Sequence, residues 1–397
     1  MDGDELRALM GAECADPAVG SVGAYAYDLT RDVELFQHDA MTPRVMASTV
    51  KLFSLGAALD VLGPETRLRT TVVSHLPPDR SGTHRGDLYI VGGGDPTLGS
   101  ATHVQRRYGG VGTTVDAIAD LIHEAGVRRI GGSIVGDGSR FDHDCMPTGR
   151  LGALTCNRKQ TEQPELYAAQ RITTALRSRG ITVAGHARAG EAPANSHTLG
   201  AVESPPVAFL VGQANKHSDN FVSEMLTKAL AAAGGEQGTT RAGAHEVKTF
   251  ARRFGVEVAL TNGSGLTYEN RGSPYAIAQY LSKMRHHRHF RRFFDSLAVA
   301  GQDGTLFDRM RNTRAQGHCY AKTGTLPSKR NMRFSALAGY CQTPGGSLVM
   351  FTLMMDHPQS GYAMLSSQDR VAVAIAHYSR STAQVTPRES SAPESLR

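Results

Sequence analysis

Hydrophobic and polar positions change period several times along this chain, and the changes divide it. Over 20–37, VGSVGAYAYDLT and VELFQHD read as two strands joined by a polar turn at Thr30-Arg31-Asp32. Leu52, Leu55, Ala58, Leu59 and Leu62 then recur at helical spacing, and Gly63-Pro64 ends that helix. From about Arg67 the pattern alternates again in RTTVVSHL and DLYIVG, followed by a Gly-rich turn, GGGDPTLG. A helix, a glycine and a strand then come twice. TTVDAIADLIHEAGV leads into RRIGGSIVGD, and PELYAAQRITTALRSRG leads into ITVAGHARAG, a weak internal repeat. The pattern predicts an α/β module over 68–200.

From Pro205 the chain turns helical. PPVAFLVGQANK and NFVSEMLTKALAAAGG are two helices separated by His217-Ser218-Asp219, and helical patterns also cover 241–254 and 274–298. GHCYAKTGTL, RFSALAGYCQT and SLVMFTLMMD read as three successive strands, and SSQDRVAVAIAHYSRS as a closing helix. Strands at both ends with helices between them predict one antiparallel sheet built from 1–67 and 201–381, with 68–200 inserted. The polar stretch 382–397 is expected to be a disordered tail.

Composition narrows the possibilities. The chain has 397 residues, 40% of them hydrophobic, enough for a sizeable core. Its formal charge of +6 fits an anionic substrate or a cell-wall surface and argues against nucleic acid as a partner. No apolar run approaches the ~20 residues that span a bilayer. Acidic residues precede the short apolar run at the N-terminus, the reverse of a secretory signal. The protein is therefore expected either in the cytoplasm or with a leader outside this numbering. Cys14, Cys145, Cys156, Cys319 and Cys341 are odd in number and scattered, and read as free thiols of a reducing compartment.

Three short motifs carry chemistry. Ser48-Thr49-Val50-Lys51 opens a helix, Ser218-Asp219-Asn220 lies between two helices, and Lys322-Thr323-Gly324, followed by Thr325, ends a strand. A serine hydroxyl is a poor nucleophile until a base takes its proton. A lysine one helical turn on reaches that hydroxyl and acts as base when burial and a second cation, here Lys322, lower its proton affinity. The helix start offers the N–H of Ser48 to an oxyanion, and the edge strand offers that of Thr325. Each motif alone is common. The three in this order and context form the set found in penicillin-binding proteins and class A β-lactamases.

The chain resembles the D-alanyl-D-alanine carboxypeptidase/endopeptidase family of class C low-molecular-mass penicillin-binding proteins, peptidase family S13. MASTVKLFSLGAALDVLGPETRLRTTV, LYIVGGGDPTL, NKHSDNFVSEML, NGSGLTYENR, VAGQDGTLFDRM and AKTGTL are similar to that family's blocks, over most of 20–380. The resemblance implies an α/β (α+β) penicillin-binding-protein/β-lactamase-like transpeptidase fold, an antiparallel sheet flanked by helices with a helical subdomain. It implies that Ser48 is the acylated nucleophile and Lys51 its base. Ser218 and Lys322 would relay a proton to the leaving amine, and Asn220 would hold the substrate amide. Lys322, Thr323, Gly324 and Thr325 would bind the terminal carboxylate, and Ser48 and Thr325 would form the oxyanion hole. The implied substrate is a peptidoglycan peptide ending in D-Ala-D-Ala, with β-lactams as covalent inhibitors, no cofactor and no metal. The family's usual place is the cell envelope.

Four departures stand out. Ser218 lies 170 positions after Ser48, less than in larger family members, so a second inserted domain is expected to be missing or trimmed. The stretch LPSKRNMRFSALAGY after the third motif is longer and more basic than the family's hairpin. Asn262 stands where the family usually has aspartate. No leader is visible. A cytosolic hydrolase or acyltransferase on another D-amino-acid peptide is thus an alternative, as is a wall-binding protein with a relic site. The five intact site residues Ser48, Lys51, Ser218, Asn220 and Lys322 argue against a relic, and no second base for a β-lactamase's deacylating water is evident. GGGDPTLG lacks a following GK[ST] and reads as a turn at a domain junction. HHRHF reads as a solvated basic surface, Cys319 as a buried small side chain, and Asp303 as a structural turn residue.

Overall fold

A computed structural model describes residues 1–144, 149–327 and 333–379. The chain starts with a helix, Gly3–Ala15, which the strand-centred reading of the N-terminus passes over. Asp2 caps it through the amides of Asp4 and Glu5, and Leu6, Met10 and Cys14 form its buried stripe. That stripe packs in one core with Val371 and Ile375 of the closing helix, Gly361–His377, and with Tyr378 just after it.

The main sheet has six strands and draws on both ends of the chain. Its order is Ala298–Val299, Cys319–Pro327, Arg333–Gln342, Leu348–Asp356, Ser21–Asp28, Val33–His38, with every neighbour antiparallel. The period of two divides its side chains between two cores. Along Leu348–Asp356, Val349, Phe351, Leu353 and Met355 meet the terminal helices. Met350 and Met354 face the opposite core, with Tyr280, Tyr340 and the helices Lys51–Val61 and Asn220–Ala233. Burial on both faces explains why this strand reads as continuously apolar.

A second sheet runs Arg188–Ala189, Ile134–Asp137, Leu88–Val91, Arg67–Ser74, His197–Pro206. Its first three strands are parallel, and Arg67–Ser74 is antiparallel to both of its neighbours. The repeat in the sequence is visible here. The helices Val115–Glu124 and Pro164–Ser178 each lead into one strand of a small parallel sheet and then one of the second sheet. Thr83–His84 and Leu88–Val91 make a further strand pair of this kind, paired in parallel with the next.

Several expectations are corrected. Cys319 and Cys341 are directly opposed in register and joined by a disulfide, with Cα atoms 4.1 Å apart. They are not free thiols. Their pairing depends on a strand register that spacing along the chain does not reveal. Cys14 and Cys156 are free and buried, and Cys145 lies outside the described residues. Lys322-Thr323-Gly324 sits in mid-strand, since Cys319–Pro327 runs three residues past Gly324. The helical pattern over 274–298 is two helices, Pro274–Met284 and Phe290–Asp295. Between them His287 turns to Asp60, 3.0 Å away, which Arg253 and Arg288 also approach. The tail 382–397 and residues 328–332 of the long stretch after Leu326 lie outside the described residues. Among the described residues, no helix is long and apolar enough to cross a membrane.

Candidate active site

Ser48 sits in a short 3-10 turn, Ala47–Val50, that runs directly into the Lys51–Val61 helix. Two glycines let other segments close on this turn. A Cβ on Gly324 would lie 2.9 Å from Met46 O and 3.2 Å from Ser48 N, so the third-motif strand can lie against the turn only with glycine there. A Cβ on Gly265, at φ +87°, would lie 2.0 Å from Ala47 O. Ala47 is itself left-handed at φ 47°, an unusual state for a residue with a Cβ. Ser48 thus rests on a turn clamped from two sides.

Lys51 is fully buried. Its Nζ donates to Ser48 Oγ at 3.0 Å, to Asn220 Oδ1 at 2.7 Å and to the Ser264 carbonyl. Burial pushes its proton affinity down to about 7, against the opposing charges of Glu224 and Asp219. Lys322 is also fully buried, and its Nζ donates to Thr323 O at 2.9 Å. Burial pushes Lys322 well below the ordinary lysine range, and the charge of Lys51 adds to this. Burial and a second cation were both expected to keep Lys51 neutral, and of the two it is burial that lowers Lys51. Desolvation is the principal cause at both lysines.

The second motif occupies the junction of the helices Val207–Lys216 and Asn220–Ala233. Ser218 is half-buried at φ 53°, and among the described residues its hydroxyl makes no hydrogen bond. Asp219 caps the second helix through Val222 N. Thr323 Oγ1 donates to Thr305 Oγ1 at 2.8 Å, and Thr325 points into solvent. The geometry therefore joins Ser48, Lys51 and Asn220 directly and sets Gly324 against the Ser48 turn. No hydrogen bond ties Ser218 to either lysine among the described residues.

Two residues outside the motifs complete the cluster. The Ser264 carbonyl accepts from Lys51 and, at 3.5 Å, from Ser48 Oγ. Ser264 N–H in turn donates to Glu224 Oε1 at 2.9 Å. Glu224 is almost fully buried, and its Oε2 has no partner. Burial raises its pKa, against the Ser264 and Gly263 amides and the charge of Lys51. The available signal was its position four residues after Asn220, on the same helix face. Asn262 meets the acceptor role with its amide oxygen, which takes Gly265 N–H at 3.0 Å and Asn270 Nδ2 at 2.8 Å. Asp303 accepts from Val299 N and pairs with Lys216, fixing the end of the Val207–Lys216 helix. Among the described residues no group of three or more His, Cys, Asp and Glu side chains is placed to hold a metal ion.

An activated serine on a clamped turn, between a helical region and the strand carrying Lys322, suits acyl transfer. The architecture is the penicillin-binding-protein fold. Penicillin binding protein 4 (dacB) from Haemophilus influenzae superposes with a TM-score of 0.78 at 18% identity, covering 95% of this chain and 100% of that one. A penicillin G-acylated predatory endopeptidase from Bdellovibrio bacteriovorus gives 0.57 at 17% identity, over 88% and 91% of the two chains. In sequence, residues 6–153 and 150–378 match the D-Ala-D-Ala carboxypeptidase 3 (S13) family, and the chain belongs to that family. It is a serine-type peptidase. The D-alanyl-D-alanine carboxypeptidase of Actinomadura sp. is 28% identical over 481 aligned positions, covering 94% of this chain and 85% of the relative. That span exceeds the 397 residues here, so the relative holds segments that this chain lacks.

Proposed function

We propose that this peptidase cleaves the terminal D-Ala-D-Ala bond of peptidoglycan stem peptides through an acyl-enzyme on Ser48. The observation that carries the reading is Lys51 Nζ, fully buried, 3.0 Å from Ser48 Oγ, with its proton affinity brought to about 7. Neutral Lys51 takes the Ser48 proton as Oγ attacks the carbonyl carbon of the penultimate D-alanine. The oxyanion is held by the N–H groups of Ser48 and Thr325. The C–N bond breaks as the proton taken up by Lys51 is relayed through Ser218, with Lys322 beside it, to the leaving amine, which leaves Lys51 neutral again. Water then attacks the Ser48 ester, with Lys51 again as base, and releases the shortened peptide.

Asn220 holds the amide on the acyl side of the substrate. Lys322, Thr323, Gly324 and Thr325 form the edge against which the terminal carboxylate lies. A peptide cross-link with a D-centre at the same position is open to the same chemistry, which makes endopeptidase action an extension of it. A β-lactam presents an amide with the same geometry and stays attached after the ring opens. The cell envelope is the proposed location. The buried disulfide favours an oxidising compartment.

The test is intact-protein mass after incubation with benzylpenicillin, with Ser48→Ala alongside. One penicilloyl adduct on wild type and none on the variant is the expected result, with release of D-alanine from a D-Ala-D-Ala peptide following the same pattern. Well-folded protein that takes no adduct and releases no D-alanine sinks the proposal.

A further inference from the structure

Asp219 carries more charge partners than a helix cap requires. Its carboxylate is 2% exposed, and one oxygen taking Val222 N–H satisfies the cap. Two arginines from the 68–200 segment close on it as well. Arg107 Nη2 lies 2.5 Å from Oδ2, and Arg158 engages both oxygens, at 2.5 and 2.9 Å. Arg158 also lies over the ring of Phe221, 4.8 Å from its centre. Burial works to raise the pKa of Asp219, but Arg158 and Arg107 hold it below the usual carboxylate range.

The two arginines are presented by one bracket. Arg107 is near the end of the Ala101–Tyr108 helix, which follows the Gly-rich turn 92–100. Inside that turn the buried Asp95 accepts from Thr97 N, Thr97 Oγ1 and Thr113 Oγ1. Asn157, next to Arg158, is pinned to the same turn. Its N–H donates to Leu98 O at 2.9 Å, and its Oδ1 accepts from Ser100 N at 2.8 Å. Tyr108 OH donates to Pro96 O at 3.0 Å. The GGGDPTLG stretch, which has no phosphate chemistry, thus sets the place of both guanidinium groups.

We propose that Arg107 and Arg158 are positioning residues for acyl transfer: by gripping Asp219 they hold its neighbours Ser218 and Asn220 where the reaction needs them. The proposal rests on the acyl-enzyme reading of Ser48. Ser218 sits at φ 53°, which a serine keeps only if its surroundings impose it. Asn220, on the other side, holds Lys51 Nζ at 2.7 Å. A bidentate guanidinium fixes the orientation of a carboxylate, not only its charge. The inserted segment therefore supplies part of the machinery that orients the active site.

The test is the rate of acylation by benzylpenicillin in R107A, R158A and the double variant, each made also in a D219N background. Asparagine keeps the cap but loses the charge that the arginines grip. The double variant should acylate about 10–100-fold more slowly than wild type. In the D219N background, removing the arginines should change the rate by less than about 2-fold. Loss of packing alone would slow both backgrounds equally. Equal slowing, or arginine variants that acylate like wild type, overturns the proposal. Should the double variant fail to fold, R107A, whose side chain is 44% exposed, carries the same comparison. Wild type that takes no adduct fails the reading of Ser48 itself, whereas wild type that acylates no faster than the variants fails the grip alone.

Discussion

At the scale of single residues, the candidate site withholds water from two lysines, Lys51 and Lys322. Lys51 has three acceptors around it and no exposed surface, so its charged form gains hydrogen bonds but loses hydration. Glu224 shifts this balance from below. Its charge favours the protonated lysine, and its Oε1 holds the Ser264 amide whose residue turns a carbonyl to Lys51. Glu224→Gln keeps an acceptor for Ser264 N–H and removes the charge. Lys51 then becomes neutral at lower pH. Acylation by benzylpenicillin is expected to rise with pH through about 7 in wild type, and the rise should fall at lower pH in the variant. The gain at neutral pH is about 2–5-fold. Glu224→Ala loses the acceptor as well and should slow acylation at every pH. Rates followed across about pH 5–9 separate the two, and a superimposable Glu224→Gln profile rules out the electrostatic role.

At the scale of elements, the strand Cys319–Pro327 carries Lys322, Thr323 and Gly324, and a disulfide ties its start to Cys341. The link lies three residues from Lys322, beside the two-residue strand Ala298–Val299, which among the described residues is the sole neighbour on that side of the sheet. Removing it as Cys319→Ala/Cys341→Ala should cost about 3 kcal/mol, the usual effect of releasing a loop of about this size. Thermal unfolding measures that loss. Alkylation of denatured, unreduced protein should label Cys14 and Cys156 and spare Cys319 and Cys341; labelling of the latter pair in freshly purified protein excludes the bond.

At the scale of the whole molecule, one helix joins the two sheets' domains of influence. Asn220–Ala233 meets Arg107 and Arg158 at its start. Further along, Lys228, fully buried, donates to Asp142 Oδ1 at 2.6 Å, Asp142 O at 2.8 Å and Leu151 O at 3.1 Å. The same helix carries Asn220 and Glu224 into the site. Lys228→Ala strips the partner from Asp142 and leaves two carbonyls without a donor. We expect a loss of about 2–4 kcal/mol, less than for a fully buried pair because Asp142 is partly exposed. Calorimetry should show it as a lower Tm, and an unchanged Tm excludes Lys228 as a joint between these parts.

Much of this was legible before the fold was known. Periodicity marked the strand pair at 21–38, the Lys51–Val61 helix and the helices on either side of Ser218, because helical and strand spacing are local properties. The SxxK, SDN and KTG motifs and their flanking blocks pointed to the family, because a fold shared by a family fixes both the motifs and their order along the chain. The sequence by itself determined the neighbour of Ser48, since Lys51 is one helical turn away wherever the rest of the chain goes. Only the tertiary structure decided the partners that come from afar. Cys319 meets Cys341 through strand register, Glu224 reaches Lys51 through the Ser264 turn, and Arg107 and Arg158 reach Asp219 from 112 and 61 positions earlier in the chain. It also decided that burial, more than the second lysine, lowers the proton affinity of Lys51. Desolvation belongs to a place in the packed molecule, and no spacing along the chain encodes it.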